Sequence, residues 1–157
     1  MALAKTYFKL QMNKSEILNI IQIKLSEKIE NLERLINETR ASNNETKSSM
    51  GDKYETTREM VQQEINNLQV QLNENIRAKN SLKLINSNLH QIVGLGSLVQ
   101  TDKGLFYIAV SLGEITFNQK KIFVISTESP LGKALFGKKK SDEISLNNIR
   151  QIIQNLW

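Results

Sequence analysis

Three carboxylates, Glu45, Asp52 and Glu55, flank a polar break that runs from Ala41 to Glu55 as ASNNETKSSMGDKYE. Asp52 and Glu55 are three residues apart, so on a helix they share one face. Mg²⁺ prefers oxygen ligands and keeps several waters when one or two carboxylates hold it. Acids at an exposed tip cannot close a metal cage on their own. They could complete an unfinished Mg²⁺ site in a larger macromolecule, where the metal would orient water and stabilise charge on a phosphoryl group. The same pair also has a local explanation, because Asp52 is a natural helix N-cap with Glu55 as the acidic member of a capping box. The residues alone allow tip stabilisation, metal binding, or both.

A second group with chemical potential is basic. Lys133, Lys138, Lys139 and Lys140 form the densest cationic cluster in the chain. Such a cluster suits nucleic acid or an acidic protein surface, or else serves as a solvated face. His90 is the only histidine and has no nucleophile beside it in sequence. It reads as a helix-end or linker residue, and no self-contained active site is evident.

The break carrying the acids separates two periodic segments. Asn13, with Glu16 three residues later, resembles a capping box and predicts a helix from about residue 13 or 15 to about Thr39 or Ala41. Leu18, Leu25 and Leu32 recur every seven residues, Ile21 and Leu35 are companion positions, and Ile29 and Ile36 widen the stripe. The second helix is predicted from near Asp52 to about Ile85. Tyr54, Val61 and Leu68 form one row, with Ile65 and Leu72 alternating, Arg58 and Lys79 continuing that row, and Ile76 beside the seam. The pattern is that of an antiparallel coiled-coil hairpin. About 27 residues at 1.5 Å each give an arm on the order of 40 Å. Ser42, Asn43, Asn44, Ser48, Ser49 and Gly51 suit the turn.

From about Ile92 the chain changes character. The last 65 residues hold six of the seven glycines, the only proline and the only tryptophan. Strands are predicted at 97–100, 105–110, 114–117 and 121–126, broken by turn signals at 101–104 and 118–120. Ser129 caps a short helix with Pro130 at its first position, and Gly137 stops it. Residues 143–146 and 149–153 read as closing strands, the last stretch also permitting a helix. Leu156 and Trp157 are expected to pack on the sheet. The organisation is therefore an arm over residues 13–91, with its tip near 42–55, and a compact domain over 92–157. The class is α+β: a helical hairpin followed by a small sheet with one short helix.

The composition bounds the rest. The chain has 157 residues, 39% apolar residues, no cysteine and a formal charge of +5. Disulfide and thiol chemistry are excluded. No apolar run approaches the roughly 20 residues that cross a bilayer, and residues 1–8 are too short for a signal-peptide core. The expectation is a cytoplasmic protein without membrane contact.

The segment Ser129-Pro130-Leu131-Gly132-Lys133-Ala134-Leu135-Phe136-Gly137-Lys138, followed by Asp142 and Glu143, resembles the GreA/GreB family of transcript cleavage factors, in particular its small variants from Bacteroidota. That family has a Ser-Pro-(Ile/Leu/Val)-x-x-Ala-Leu-(Ile/Leu)-Gly-Lys run followed by Gly-Asp, and Ser141 stands here in place of that glycine. Gly96-Ser97-Leu98-Val99 is similar to the Gly-Ser-x-Val that opens the family's FKBP-like domain. The resemblance covers about residues 14–153. At the tip, Gly51-Asp52-Lys53-Tyr54-Glu55-Thr56 resembles the family's Gly-Asp-x-x-Glu-Asn, with Thr for Asn. A rival alignment anchors Tyr54 and Arg58-Glu59 on the family's downstream Tyr and Arg-Glu, and puts Lys47 and Met50 at the acidic positions. The family's Thr-Pro-Gly-Gly turn before the last strand is replaced by Leu146-Asn147-Asn148.

The resemblance implies a monomer that docks its FKBP-like domain on RNA polymerase and inserts the arm into the secondary channel. It has no catalysis of its own and binds no cofactor alone. On the first alignment Asp52 and Glu55, helped by Glu45, would inherit the acidic role. They would share Mg²⁺ with the polymerase active site at the nascent RNA 3′ end and stimulate cleavage of backtracked RNA. Lys133, Lys138 and Ser129 would meet the polymerase. The alternatives are a secondary-channel regulator that does not promote cleavage and a structural coiled-coil adaptor.

Overall fold

The fold was read from a computed structural model. It describes the backbone of residues 2–45 and 51–157, and the side chains of residues 14–44 and 55–157. Two long helices, α1 (Ala2–Glu45) and α2 (Gly51–Ser81), precede a 3-10 turn at Leu82–Leu84. Six strands follow: β1 (Leu98–Thr101), β2 (Gly104–Ala109), β3 (Gly113–Phe117), β4 (Lys120–Ser126), β5 (Glu143–Leu146) and β6 (Ile149–Leu156). A short helix, α3 (Pro130–Leu135), lies between β4 and β5 in sequence. The chain divides into two compact units, one of Ile23–Asn80 and one of the residues up to Gln22 together with Ser81–Trp157.

The Ile23–Asn80 unit is a helical hairpin. Leu32 and Ile36 of α1 pack with Ile65 and Leu72 of α2, flanked by Ile29, Val61 and Leu68. The buried stripe of α1 is Ile17, Ile21, Leu25, Leu32 and Ile36, with Leu35 left 40% exposed. Within this unit the seam takes Ile36, which buries against α2, and leaves its neighbour Leu35 at the margin. On α2 the row keeps Arg58 half-buried and leaves Lys79 exposed. Helix α1 also begins well before the expected start: Asn13 lies within it. A capping residue favours a start but does not impose one, and no glycine or proline stands between Ala2 and Asn13 to break the helix. Lys47 and Met50 fall outside the described residues, as do the side chains of Glu45 and Asp52.

The other unit is built on a six-stranded sheet of order β3-β4-β2-β1-β6-β5. β2 and β4 run parallel, and every other neighbouring pair is antiparallel. The parallel pair arises because β3 folds back on β4 at the edge instead of pairing with β2. Val99, Ile108, Leu135, Ile144 and Ile153 form the core with Val93, and Ile125, Leu131, Ala134 and Leu156 pack against it. The opposite face of the sheet also buries its side chains, namely Leu98, Tyr107, Ile115, Ile122 and Val124. The β3–β4 and β5–β6 hairpins turn on two residues with positive φ, Asn118 (48°) with Gln119 (64°) and Asn147 (51°) with Asn148 (65°). Their right-handed match to strand twist is what such two-residue turns supply. Leu146-Asn147-Asn148 thus makes a tight connection to β6, and Ile149–Leu156 is strand, not helix. Trp157 closes the sheet, its N–H donating to Leu98 O at 2.9 Å and its carbonyl accepting from Leu98 N at 3.1 Å.

Candidate functional site

The best-built candidate surface is the segment from Ser126 to Lys140. Ser129 is the N-cap of α3: its Oγ accepts the Gly132 N–H at 3.0 Å and donates to Ser126 O at 2.8 Å. Pro130 follows at the first helical position, where its missing N–H costs nothing. Gly132 is required by contact, since a Cβ there would sit 2.1 Å from Ser126 O. Leu135 is buried in the core, and Phe136 beside it is 56% exposed. The exit of the helix is fixed by two backbone bonds to Val93: Gly137 N–H to Val93 O at 2.9 Å, and Val93 N–H to Lys138 O at 2.8 Å. These contacts hold Lys133 on an exposed helical surface and Lys138, Lys139 and Lys140 on the following exposed turn. Lys133 lies 4.0 Å from Glu128, with both side chains largely solvated, so it keeps nearly its full charge for a partner. Of the three residues assigned to partner contact, Lys133 and Lys138 are open to solvent, whereas the Ser129 hydroxyl is engaged in capping.

Ser141 has φ 77°, in the left-handed region that glycine occupies without strain. Its N–H donates to Ile153 O at 2.8 Å, and Asp142 Oδ2 accepts the Lys139 N–H at 2.8 Å. The turn thus keeps the geometry that a Gly-Asp pair would take.

At the hairpin, Glu55 is exposed on the first turns of α2. Among the described residues no group of three metal-ligating side chains is assembled. Arg58, one turn on, has a buried Nε with no hydrogen-bond partner among the described residues.

The residue-type reading overlooked Lys14. It is fully buried, and its ammonium donates to Asn88 O at 2.7 Å. Burial lowers its pKa to about 8. His90 lies in the same unit, with Nδ1 2.6 Å from Ser97 Oγ. Its pKa is lowered, first by burial and then by the Lys14 charge. A single lysine among polar neighbours carries no pattern signal, and only the fold brings it to residues 74 positions away.

No family model matches the chain, and no curated protein matches it. Solved structures do. GreA factor homolog 1 (Gfh1) of Thermus thermophilus shares 18% identity, covering 87% of this chain and 94% of that one at a TM-score of 0.36. Another structure of the transcription factor Gfh1 gives 18%, 85%, 93% and 0.34. Gfh1 of Thermus aquaticus gives 18%, 85%, 91% and 0.33. The expectation that the chain stimulates RNA cleavage is corrected here. The solved chains it matches are of Gfh1, a homologue of the GreA factor, and not of GreA or GreB itself. The chain has a distant structural match, over most of its length, to a homologue of the GreA factor.

Proposed function

We propose that this chain is a cytoplasmic, non-cleaving regulator that binds RNA polymerase at its secondary channel, with an FKBP-like sheet domain for docking and the helical hairpin for insertion. The observation that carries the reading is the Ser129–Lys138 segment. The residues that resemble the GreA/GreB docking run fold into a capped helix in which Gly132 is fixed by close contact and a following turn in which Gly137 takes a positive φ, with Lys133 and Lys138 left open. Lys133 and Lys138, with Ser129 setting the helix start, face an acidic surface of the polymerase. Glu45, Asp52 and Glu55 are the acidic contacts toward the polymerase Mg²⁺ and the RNA 3′ end. They act by occupying that approach, and the protein works as a monomer.

The test is a pair of assays on backtracked elongation complexes with the cognate polymerase. Binding is measured by co-migration with polymerase, and RNA cleavage by gel. The expected result is binding with no gain in cleavage and slower elongation. Absence of polymerase binding would overturn the reading in favour of a coiled-coil adaptor.

A further inference from the structure

Ser97 is buried, and its Oγ already accepts the Gly94 N–H at 2.8 Å. Its own proton has one acceptor among the described residues, Nδ1 of His90 at 2.6 Å. A hydroxyl in this position is fully satisfied only when the imidazole is neutral and carries its hydrogen on Nε2. Protonation puts a hydrogen on Nδ1. The Ser97 oxygen would then accept two N–H groups, and its own hydrogen would be left buried without a partner. That loss is of the kind that costs most in a protein interior.

Protonation also places a second cation near Lys14. The Lys14 ammonium reaches the same stretch of chain through Asn88 O. It is the charged group that acts on His90 among the described residues, and neither side chain has an ion pair there. A second hydrogen bond between the same elements, Ser15 Oγ to Ser87 Oγ at 2.6 Å, is exposed and insensitive to protonation near neutrality.

We propose that His90, Ser97 and Lys14 form a proton-operated latch on the connection 85–97: the neutral imidazole holds the Gly94–Ser97 turn closed, and its protonation releases that turn. The latch is independent of the polymerase reading, because it rests on contacts inside one unit. It makes the segment leading into β1 more open under acid conditions while the sheet stays paired.

The experiment is an NMR titration of the full chain, following the His90 imidazole and hydrogen exchange at the Gly94 amide, corrected for its intrinsic pH dependence. His90 is expected to titrate below 6.5. Gly94 exchange is expected to rise as the pH falls from the ordinary histidine value toward that midpoint, by at most about tenfold per unit, and to level off below it. Lys14→Met is expected to raise the His90 midpoint, and His90→Phe to abolish the acid-dependent part of Gly94 exchange. A His90 midpoint at or above the ordinary histidine value in the parent protein would overturn the latch. So would Gly94 protection that does not change through the titration, a reading that needs no variant to fold.

Discussion

Gly132 and Lys14 show how much a single position can decide. No side chain fits at Gly132, because the Ser126 carbonyl oxygen occupies the place of a Cβ. Gly132→Ala is expected to lower stability by about 2 kcal/mol or more through forced displacement of α3, checked by urea unfolding. Lys133 and Lys138 answer differently, since neither is needed for packing. Lys133→Glu with Lys138→Glu is expected to leave the melting temperature within a degree or two, by analogy with ordinary surface changes. The same double variant should weaken polymerase binding at least about tenfold, more so at low salt. Lys14 affects stability through protons. In the unfolded chain it holds its proton up to about 10.5, whereas in the fold it releases it near 8. Between those values the unfolded state binds more protons, so stability rises with pH across that window. His90 acts in the same sense at lower pH, its neutral form being favoured by the fold, so stability falls as acid is added below the ordinary histidine value. Lys14→Met should remove the alkaline rise, measured as unfolding free energy from pH 7.5 to 10.5.

Elements were legible where turn chemistry was explicit. Ser129, Pro130 and Gly137 mark α3 completely, and each does in the structure what its chemistry suggests. The strands at 98–126 were readable because polar turns separate short β-branched and aromatic runs. The start of α1 was not, since nothing in residues 2–13 opposes a helix. At the seam the expected weights of Leu35 and Ile36 are exchanged, because adjacent apolar residues at the flank of a helical stripe are not ranked by pattern alone. The acidic pair at the tip was legible as residue types only, and Lys14 gave no signal at all. Ser141 is an element-scale test of the family resemblance. A non-glycine residue at φ 77° carries strain of about 1 kcal/mol. Ser141→Gly is therefore expected to stabilise the protein by no more than about 0.5 kcal/mol, after the larger unfolded-state entropy of glycine is set against it. Thermal unfolding would show no change if the turn were already relaxed.

At the scale of the molecule, the sheet joins segments that are far apart in the chain. β6 lies between β1 and β5, and Gln100 meets Asn155 across 55 positions of sequence. The hairpin of Ile23–Asn80, by contrast, is made of local helical turns. Local contacts form fast, while pairings distant in sequence wait on loop closure. The sheet unit also takes in the residues up to Gln22, so helix formation in the intervening segment shortens the gap that must be closed. Trp157 lies at the far end of this process. It is the only tryptophan, it is buried, and its backbone bonds to Leu98. Its fluorescence is therefore a built-in clock for the last step of assembly. In stopped-flow refolding, far-ultraviolet ellipticity should recover first and the tryptophan emission should shift afterwards.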